Sequence, residues 1–311
     1  MGPGCRSGGC EAAGAGAVFG GRADATTPVR EAGRGPSRHA PGDTGGYEDR
    51  TRRRPTGHRD RREDRPGART DGAWAPHLVA ALAHGAGAVL GRVAVDDKSN
   101  EIPAARDLLE GLDLDGAVIT MDALHTQHAT ATLVTGAGAD FVLTVKADQK
   151  SLYAGLKALP WARVPAVTRT DRGHGRPVTR TLKAIDVSAW IDFTRAAQVA
   201  QLRRTVTSKG RRTVGIVYLI TSADAHTAPP ELLATWVQSH WEIENRLHWV
   251  RDVTFDEDRS QVRTGNAPRV MAGLRNTAIT LLRLHGHQNI AAALRHHARD
   301  TNRPVNLLLT A

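Results

Sequence analysis

The sequence predicts a mixed α/β layer fold that follows a long N-terminal segment of biased composition. Residues 1–77 contain no Leu, Ile or Lys, whereas apolar runs recur at short intervals from Leu78 onward. The order of those runs is strand, strand, helix, strand, helix, strand. A stretch rich in Thr, Val and Arg at about residues 160–228 then predicts a β-rich insertion, and from Pro230 the chain becomes helical.

Residues 1–67 are predicted to be disordered. Gly, Ala, Arg, Pro and Asp dominate this segment, and such a composition cannot bury enough apolar area to offset its ordering entropy. Its simplest interpretation is a basic tail that touches DNA. However, residues 1–77 hold 14 Arg and 10 acidic residues, a net charge of +4, whereas the whole chain carries +10. The folded part therefore holds +6, which favours a polyanionic partner, nucleic acid first.

Composition also bears on the compartment. The two cysteines, Cys5 and Cys10, are too few for a disulfide framework or a four-thiolate zinc site, so we expect a reducing, cytoplasmic setting. Apolar runs stay well below the ~18 residues of a membrane span, and we expect neither a membrane segment nor a signal peptide.

The elements after residue 77 follow from local signals. "HLVAALAHGAGAVLGRVAVDD" predicts a hairpin over Leu78–Val95, because a Gly turn separates two short apolar runs. "NEIPAARDLLEGL" predicts a helix, with Pro103 in its first turn and Gly111 at its end. "GAVITMDAL" and "DFVLTVKA" predict buried strands, and "TQHATATLVTGAG" between them predicts a helix.

The second half alternates and then turns helical. "QVAQLRRTVTSKGRRTVGIVYLITS" predicts two strands around the turn Ser208–Gly210. "PELLATWVQSHWEIENRLHWVRDV" is interpreted as one helix, and further helices are predicted at "APRVMAGLRNTAITLLRLHG" and "NIAAALRHHARD".

Asp122 and Glu244 are the two candidate site acids. Asp122 ends an apolar strand, and ligand sites in open α/β sheets gather at the carboxyl ends of strands; the alternative is an N-cap of the next helix. Glu244 lies on a helix face rich in Trp, where a default surface acid is not expected. Its alternative is a salt bridge to Arg246 or Arg251. As metal ligands, both would suit Mg²⁺, which prefers carboxylate oxygens.

Histidines are interpreted as ordinary surface or packing residues. His125 and His128 could share a helix face without an evident third ligand, and the adjacent His296 and His297 point apart.

Three stretches together carry a family resemblance. "VITMDALHTQ", "DFVLTVKADQ" and "HWEIENRLHWVRDVTFDEDRSQVRTGNAPRVMAGLRNTAITLLRL" occur in this order. They resemble the DDE transposases of bacterial insertion sequences, in the IS-four-like superfamily and its branch of H-repeat-associated proteins. The resemblance covers about residues 68–287, which we interpret as the catalytic domain, followed by a helical tail over residues 288–311. It implies a ribonuclease-H-like core with a β-rich insertion before the last catalytic helix.

The resemblance also implies a site. The family has an Asp, Asp, Glu triad that binds two Mg²⁺ (or Mn²⁺) ions and cuts and joins DNA at element ends. Asp122 matches the second Asp and Glu244 the Glu. Around that Glu the superfamily has Tyr, Arg and Lys at fixed spacing, where this sequence has Val237, His240 and Arg251. His240 can still contact phosphate, whereas Arg for Lys keeps the charge but not the geometry.

Basic residues near these motifs are expected to follow DNA phosphates, with a solvated surface charge as the alternative for each. They are Lys146, Arg246, Arg251, Arg259 and Arg263.

The first Asp of the triad is missing. The family carries it in an Asp-Gly-Lys-Thr motif on the first core strand, and the expected place holds "HRDRREDRPG", residues 58–67. The codons for this decapeptide, shifted by one base, permit "IAIDGKTVRG", so we hypothesise that residues 1 to about 67 are translated out of frame. Loss of the first strand is expected to leave unpaired edges inside the sheet. A substitute from Asp60, Asp64, Asp96 or Asp97 would need accurate placement.

The sequence therefore predicts a transposase for double-stranded DNA with terminal inverted repeats, in a copy that does not transpose. A non-catalytic DNA-binding relic and a plain ribonuclease-H-like nuclease are the alternatives. The expected location is the cytoplasm, with the nucleoid, and a homodimer is compatible with the family while the oligomeric state stays open.

Overall fold

A computed structural model gives the arrangement of the chain. It describes residues 16–20, 78–95, 99–173, 176–208, 210–241, 243–262 and 264–310. Within these ranges the side chains of residues 16–20, 173, 176, 244, 245 and 258 lie outside the description.

A mixed sheet forms the centre of the fold. Its first five strands are β1 (Gly16–Gly20), β2 (Leu78–Ala83), β3 (Val89–Ala94), β4 (Val118–Met121) and β5 (Asp140–Val145). They lie in the order β3-β2-β1-β4-β5; β1, β4 and β5 run parallel, and β2 pairs antiparallel with both β1 and β3. The predicted ribonuclease-H-like mixed sheet is confirmed, and the predicted hairpin is β2 and β3.

Strand β1 comes from an unexpected part of the chain. Gly16–Gly20 lies within the segment predicted to be disordered, and at these five residues the structure differs from that prediction. The rest of residues 1–67 lies outside the described residues. The expectation of unpaired edges inside the sheet is wrong, because β1 pairs with β2 on one side and β4 on the other. The connection from β1 to β2 is residues 21–77, far longer than an ordinary hairpin loop.

The predicted β-rich insertion is confirmed and extends the same sheet. It comprises β6 (Val167–Gly173), β7 (Arg176–Asp186), β8 (Gln198–Ser208) and β9 (Arg211–Thr221). All four strands pair antiparallel in the order β9-β8-β7-β6, and β9 pairs antiparallel with β5. The insertion is therefore a continuation of the core sheet, and the two parts share hydrogen bonds.

Seven α-helices flank the sheet in the described residues. They are α1 (Glu101–Glu110), α2 (His128–Gly136), α3 (Lys150–Ala158), α4 (Pro230–His240), α5 (Ala267–Leu284), α6 (Ile290–His297) and α7 (Asn302–Leu309). The start of α1 follows from its sequence, since the Asn100 side chain accepts a hydrogen bond from the Ile102 backbone N–H at 3.0 Å. No described helix is both long and apolar enough to cross a bilayer.

The two faces of the sheet bury different helices. Along β4, Ile119 and Met121 enter a core with α1 and α2, whereas Val118 enters a core with α4. Alternation of side chains along a strand therefore places Thr120 on the α4 face as well. Asp122 has an extended backbone, with φ −73° and ψ 169°, so the same alternation brings it to the α4 face.

The helix predicted from Pro230 through Val253 is interrupted, so that prediction is wrong in its second half. Helix α4 ends at His240, and the segments Glu244–His248 and Val250–Thr254 form π-helical turns. Apolar periodicity does not distinguish α from π turns over such a short length. Turns of this kind are rare and are frequently found at functional sites.

Candidate active site

Asp122 lies at the carboxyl end of β4, and its side chain does not cap a helix. It precedes the 3₁₀ turn Ala123–His125, yet its side chain makes no capping hydrogen bond, so the alternative interpretation is wrong. Instead, Oδ2 accepts a hydrogen bond from Lys146 Nζ at 3.2 Å. Lys146 directly follows β5, the parallel neighbour of β4, and the sheet therefore brings the two predicted residues together.

The Asp122–Lys146 pair is open to solvent. The side chain of Asp122 is 26% exposed and that of Lys146 is 46% exposed. An ion pair at such a position contributes only about 0–1 kcal/mol, because water screens it and both side chains lose freedom. The ammonium can therefore give way to another cation or follow a phosphate, and the carboxylate stays available as a ligand.

A buried chain of hydrogen bonds lies beside this pair. Thr120 Oγ1 is 3.1 Å from His240 Nδ1 at the end of α4, and 3.2 Å from His84 Nε2 just after β2. Thr120 and His84 are both buried. The chain joins three elements, β2, β4 and α4, across the α4 face of the sheet, and it fixes where α4 ends relative to Asp122.

The imidazoles of His84 and His240, which join this chain of hydrogen bonds, are both neutral at pH 7. Burial lowers the pKa of His240 to about 4, against the opposing pull of the Asp122 carboxylate. Burial also lowers the pKa of His84 to about 4, and the charges of His240 and Arg246 act in the same direction. His240 therefore offers a hydrogen bond rather than a positive charge to anything bound near Asp122.

Glu244 begins the first π-helical segment, three residues beyond Trp241. Its side chain lies outside the described atoms, so its predicted role as a ligand stays a prediction. Arg246 in the same segment packs against the turn between β2 and β3. Gly87 in that turn has φ +63°, and a Cβ there would lie 3.3 Å from Arg246 Nη1, so this approach suits glycine alone.

Arg251 is a correction to the predicted DNA contacts. It is only 2% exposed, and its Nε and Nη2 donate to the two carboxylate oxygens of Glu257 at 2.6 and 2.8 Å. Arg275 of α5 lies 3.6 Å from the same carboxylate. Because a buried, bidentate guanidinium cannot reach a phosphate on the surface, Arg251 anchors the second π-helical segment onto α5 instead.

Arg259 and Arg263 are two other predicted phosphate contacts. Arg259 is 85% exposed and lies 3.6 Å from the Asp256 carboxylate, a pair weak enough to exchange for phosphate. Arg263 lies outside the described residues, as do Asp60, Asp64, Asp96 and Asp97.

The strand beside β4 supplies no carboxylate. In the β1–β4 register, Val18 pairs with Thr120 and Phe19 with Met121, so Gly20 lies beside Asp122. The sequence of β1, "GAVFG", contains no acidic residue. In the part of the chain that the structure describes, the position next to Asp122 on the neighbouring parallel strand therefore lacks an acid.

The histidines that were interpreted as packing or surface residues keep that interpretation. His125 is 1% exposed, and burial lowers its pKa. The ring of His128 packs against Phe193 with centroids 4.9 Å apart. His296 and His297 were expected to point apart, and this is wrong: their ring centroids are 5.4 Å apart, and both rings contact His287.

Sequence reasoning missed three residues near the site, His84, Thr120 and Glu257. Thr120 carried a signal, since it is the polar residue inside the apolar run "VITM". His84 ends the apolar run of β2, which is a weaker signal. Glu257 lies among other acids in "DEDRS", where nothing marks it as buried.

Known protein families and curated proteins include several that are similar to this chain. The family described as "Transposase DDE domain" matches residues 47–281. Similar curated proteins include "Putative protein YbfL" and "H repeat-associated putative transposase YhhI" of Escherichia coli K12. Each is 34% identical over 221 residues, covering 66% of this chain and 58% of the relative. "Putative transposase YncI" of E. coli O157:H7 is 33% identical over 221 residues, covering 67% and 56%.

The chain thus spans less than three fifths of the length of these relatives. A solved structure, Streptomyces venezuelae DesVI, aligns at 14% identity over 41% of this chain and 51% of that chain, but with a TM-score of 0.18 it carries no argument. The family match covers most of the chain and includes β4, β5, the insertion and α4. On these grounds, the chain belongs to the transposase DDE-domain family.

Proposed function

We propose that this chain is a DNA transposase domain that binds double-stranded DNA at the inverted repeats of an insertion sequence, and that in its present form it does not cut. The family supports the first part. One observation carries the second: Asp122 stands at the carboxyl end of β4, while the strand beside it, β1, offers no acid. Cleavage and strand transfer are the activity of the family, and we infer that this copy lacks a ligand for it.

Mg²⁺ or Mn²⁺ is the cofactor that we propose for a complete site. Asp122 fits such an ion, since its carboxylate is partly exposed, uncapped and held only by an exchangeable lysine. Glu244 is the second proposed ligand. A pair of ions would stabilise the attacking and leaving oxygens of phosphoryl transfer, which needs acids from several elements. The described residues supply too few, so no cleavage step follows for this chain.

Lys146, Arg246 and His240 are the proposed DNA contacts at the site. Lys146 is the strongest candidate, because its ammonium is half-exposed at the same edge as Asp122. Arg246 lies on the π-helical segment next to the β2–β3 turn. His240 would contribute a neutral hydrogen bond, because its pKa of about 4 leaves it uncharged at pH 7.

We also propose the frame-shift origin of residues 1 to about 67. The very long connection between β1 and β2 supports it, because consecutive antiparallel strands are ordinarily joined by a short loop. "IAIDGKTVRG" at residues 58–67 would put a strand at about residues 58–61, which leaves only residues 62–77 between it and β2. The nucleotide sequence decides the matter: codons for residues 58–67 that do not encode Asp-Gly-Lys-Thr in a neighbouring frame refute the proposal.

The remaining proposals concern organisation. The catalytic domain would span residues 68–287 and a helical tail residues 288–311. The protein would act in the cytoplasm on the nucleoid and would be able to form a homodimer.

The central experiment combines binding and cleavage. Purified chain is mixed with labelled duplexes that carry the DNA flanking its gene, with Mg²⁺ and with Mn²⁺, and both gel shift and strand scission are measured. We expect salt-sensitive binding that prefers the flanking repeats, and no scission. Scission at the repeat ends would refute the missing-ligand proposal. Scission without preference for the repeats would indicate a ribonuclease-H-like nuclease, and absence of binding would refute the proposed function itself.

A further inference from the structure

Most of the net positive charge of the protein lies in the β-rich insertion. Residues 167–221 contain eleven Lys and Arg residues and three Asp residues, a net charge of +8. Residues 78–166, which supply β2 to β5 and Asp122, contain seven basic and ten acidic residues, a net charge of −3. The overall charge of +10 therefore does not describe a uniformly basic surface, and the insertion is the place where a polyanion would bind.

Three of these arginines form a row across the insertion. Arg169 on β6 pairs in register with Arg180 on β7, and Arg180 pairs with Arg204 on β8. Residues directly opposite one another on paired strands share a face, and neighbouring strands lie about 4.8 Å apart. The row therefore places three guanidinium-bearing side chains on one face within about 10 Å.

Among the hydrogen bonds and ion pairs described for the three arginines of this row, one is to a carboxylate. Arg180 forms an ion pair with Asp171, whose side chain is 55% exposed, and Arg180 Nε is buried without a hydrogen-bond partner among the described residues. Arg169 donates to Thr235 Oγ1 on α4 at 3.1 Å. Arg204 is half-buried, and both burial and the like charge of Arg180 lower its pKa. Two adjacent arginines that repel each other in a partly desolvated place would be stabilised by an anion between them.

A cleft lies in front of the row. Arg169 and Arg180 line it together with Leu182 and Leu202 of the insertion and with Gln238 and Trp241 at the end of α4. The row therefore lies next to α4, which Arg169 contacts at Thr235 and whose last residue, His240, is tied to Thr120 beside Asp122.

The row also faces the same way as Asp122. Leu182 and Leu202 belong to the core on the α4 face of the sheet. Arg180 and Arg204 lie two residues from them along the same strands, and residues two apart on a strand point to the same face. Asp122 lies on that same α4 face, and α4 packs on the sheet between Asp122 and the row.

The register gives the distance between them. Asp122 follows Met121, which pairs with Leu143, so its position lies level with Thr144, Leu219 and Ala200 on the successive strands. Strand β8 runs parallel to β4, and Arg204 is four residues beyond Ala200, past the carboxyl edge of the core. With about 3.3 Å per residue and 4.8 Å per strand, Arg204 lies roughly 20 Å from Asp122.

We propose that the row Arg169, Arg180 and Arg204 binds the phosphate backbone of duplex DNA about half a helical turn away from the position that faces Asp122. A separation of about 20 Å corresponds to roughly six base pairs at 3.4 Å each. The contact is independent of base sequence, and it holds the duplex on the side of the sheet that α4 covers. This inference rests on the proposed function, because it assumes that duplex DNA is the polyanion.

The salt dependence of DNA binding tests the proposal. The full chain is titrated onto a random duplex of about 30 base pairs at several salt concentrations. Each phosphate contact contributes about −0.9 to the slope of log K against log salt. Arg204→Ala is expected to reduce the magnitude of the slope by about 1 and to weaken binding several-fold, and adding Arg169→Ala to reduce it by about 2 in total. Arg204→Lys, which keeps the charge, is expected to retain most of the wild-type slope.

The matched control is Arg203→Ala. Arg203 is the chain neighbour of Arg204 on β8, is exposed, and points to the opposite face of the sheet. Equal losses for Arg203→Ala and Arg204→Ala would refute the proposal and indicate a general charge effect. Thermal unfolding checks that each variant folds, and Arg204→Gln, which keeps the stem length, replaces Arg204→Ala if the latter does not.

Hydroxyl-radical footprinting on a duplex with the flanking repeat distinguishes binding by the arginine row from DNA binding by the protein in general. Wild-type protein is expected to protect backbone about six base pairs from the element end, and Arg204→Gln to lose that protection alone. Wild-type binding with unchanged slope and footprint in the arginine variants would overturn the row but leave the proposed function standing. Absence of wild-type binding to any duplex would overturn the proposed function as well.

Discussion

One sheet carries two regions of opposite character. Strands β1 to β5 are four to six residues long, and β4 is buried throughout. Strands β6 to β9 are seven to eleven residues long and become exposed toward the turn that joins β8 and β9. The core segment is acidic and holds the candidate ligand, whereas the insertion is strongly basic. The difference shows that the candidate ligand and most of the net positive charge lie in separate regions, which the β5–β9 pairing joins in one sheet.

Restoring the first strand should change the core most. Residues 58–67 are replaced by the shifted-frame decapeptide IAIDGKTVRG, which competes with Gly16–Gly20 for the place between β2 and β4. Cleavage with Mg²⁺ is expected to rise at least about 1,000-fold, because metal stabilisation of the transition state supplies several kcal/mol. The control is the same decapeptide with Asn in place of its Asp. Equal cleavage by both, or by neither, would show that the missing acid is not the cause of inactivity.

Loss of a buried ion pair near the core should lower the free energy of unfolding more than loss of an exposed ion pair in the insertion. Glu257→Gln leaves Arg251 buried with a neutral partner and is expected to cost about 3–5 kcal/mol of unfolding free energy. Asp171→Asn in the insertion removes the partner of Arg180, and because Asp171 is more than half exposed the cost is expected to stay below about 1 kcal/mol. Urea denaturation measures both. A larger loss for Asp171→Asn would reverse the comparison.

Acid should weaken the core through its buried histidines. His84 and His240 have pKa values near 4 in the folded chain, below the 6.5 of an exposed histidine. The unfolded state therefore binds protons first, so stability is complete above pH 6.5 and falls as the pH drops toward 4, by up to about 3 kcal/mol for one histidine. Unfolding free energies at pH 7 and pH 4.5 check this. His84→Gln should show a smaller difference between the two pH values; an unchanged difference would exclude His84 as a source.

The smallest effect is expected from Asp122 itself. If the core only repels DNA that the insertion holds, Asp122→Asn removes one negative charge and frees Lys146. DNA affinity at low salt should rise by no more than about fivefold, the equivalent of about 1 kcal/mol between exposed charges. Fluorescence anisotropy measures it, with Asp113→Asn on the exposed loop before β4 as the control. Weaker binding by Asp122→Asn would show that the carboxylate takes part in holding DNA.

Local patterns carried the prediction of much of this fold. The apolar runs of β4 and β5, the Asn and Pro at the start of α1 and the alternation in the insertion are all signals from adjacent residues. The ends of β4 and β5 were therefore predictable, and with them Asp122 and Lys146. The break after α4 was not, because Trp241 and Ile243 continue an apolar pattern that fits an unbroken helix.

Side-chain roles that depend on distant partners could not be inferred in this way. Arg251 was expected on the surface, and only the fold brings Glu257 and Arg275 to it. His84 and His240 both contact Thr120, from which they are 36 and 120 positions away along the chain. Burial of a charged or titratable group is a property of the assembled structure, since the same residue type is charged and solvated elsewhere.

By itself, the sequence determined the family, the mixed α/β class, the acid at the end of β4 and the absence of the Asp-Gly-Lys-Thr motif. Only the tertiary structure decided that Gly16–Gly20 lies beside β4, that Arg251 is buried, and that Arg169, Arg180 and Arg204 share a face with Asp122. The physical reason is the distance along the chain over which each interaction acts. Turns, caps and periodicity act over a few residues, whereas register across a nine-stranded sheet places strands from distant parts of the chain relative to one another.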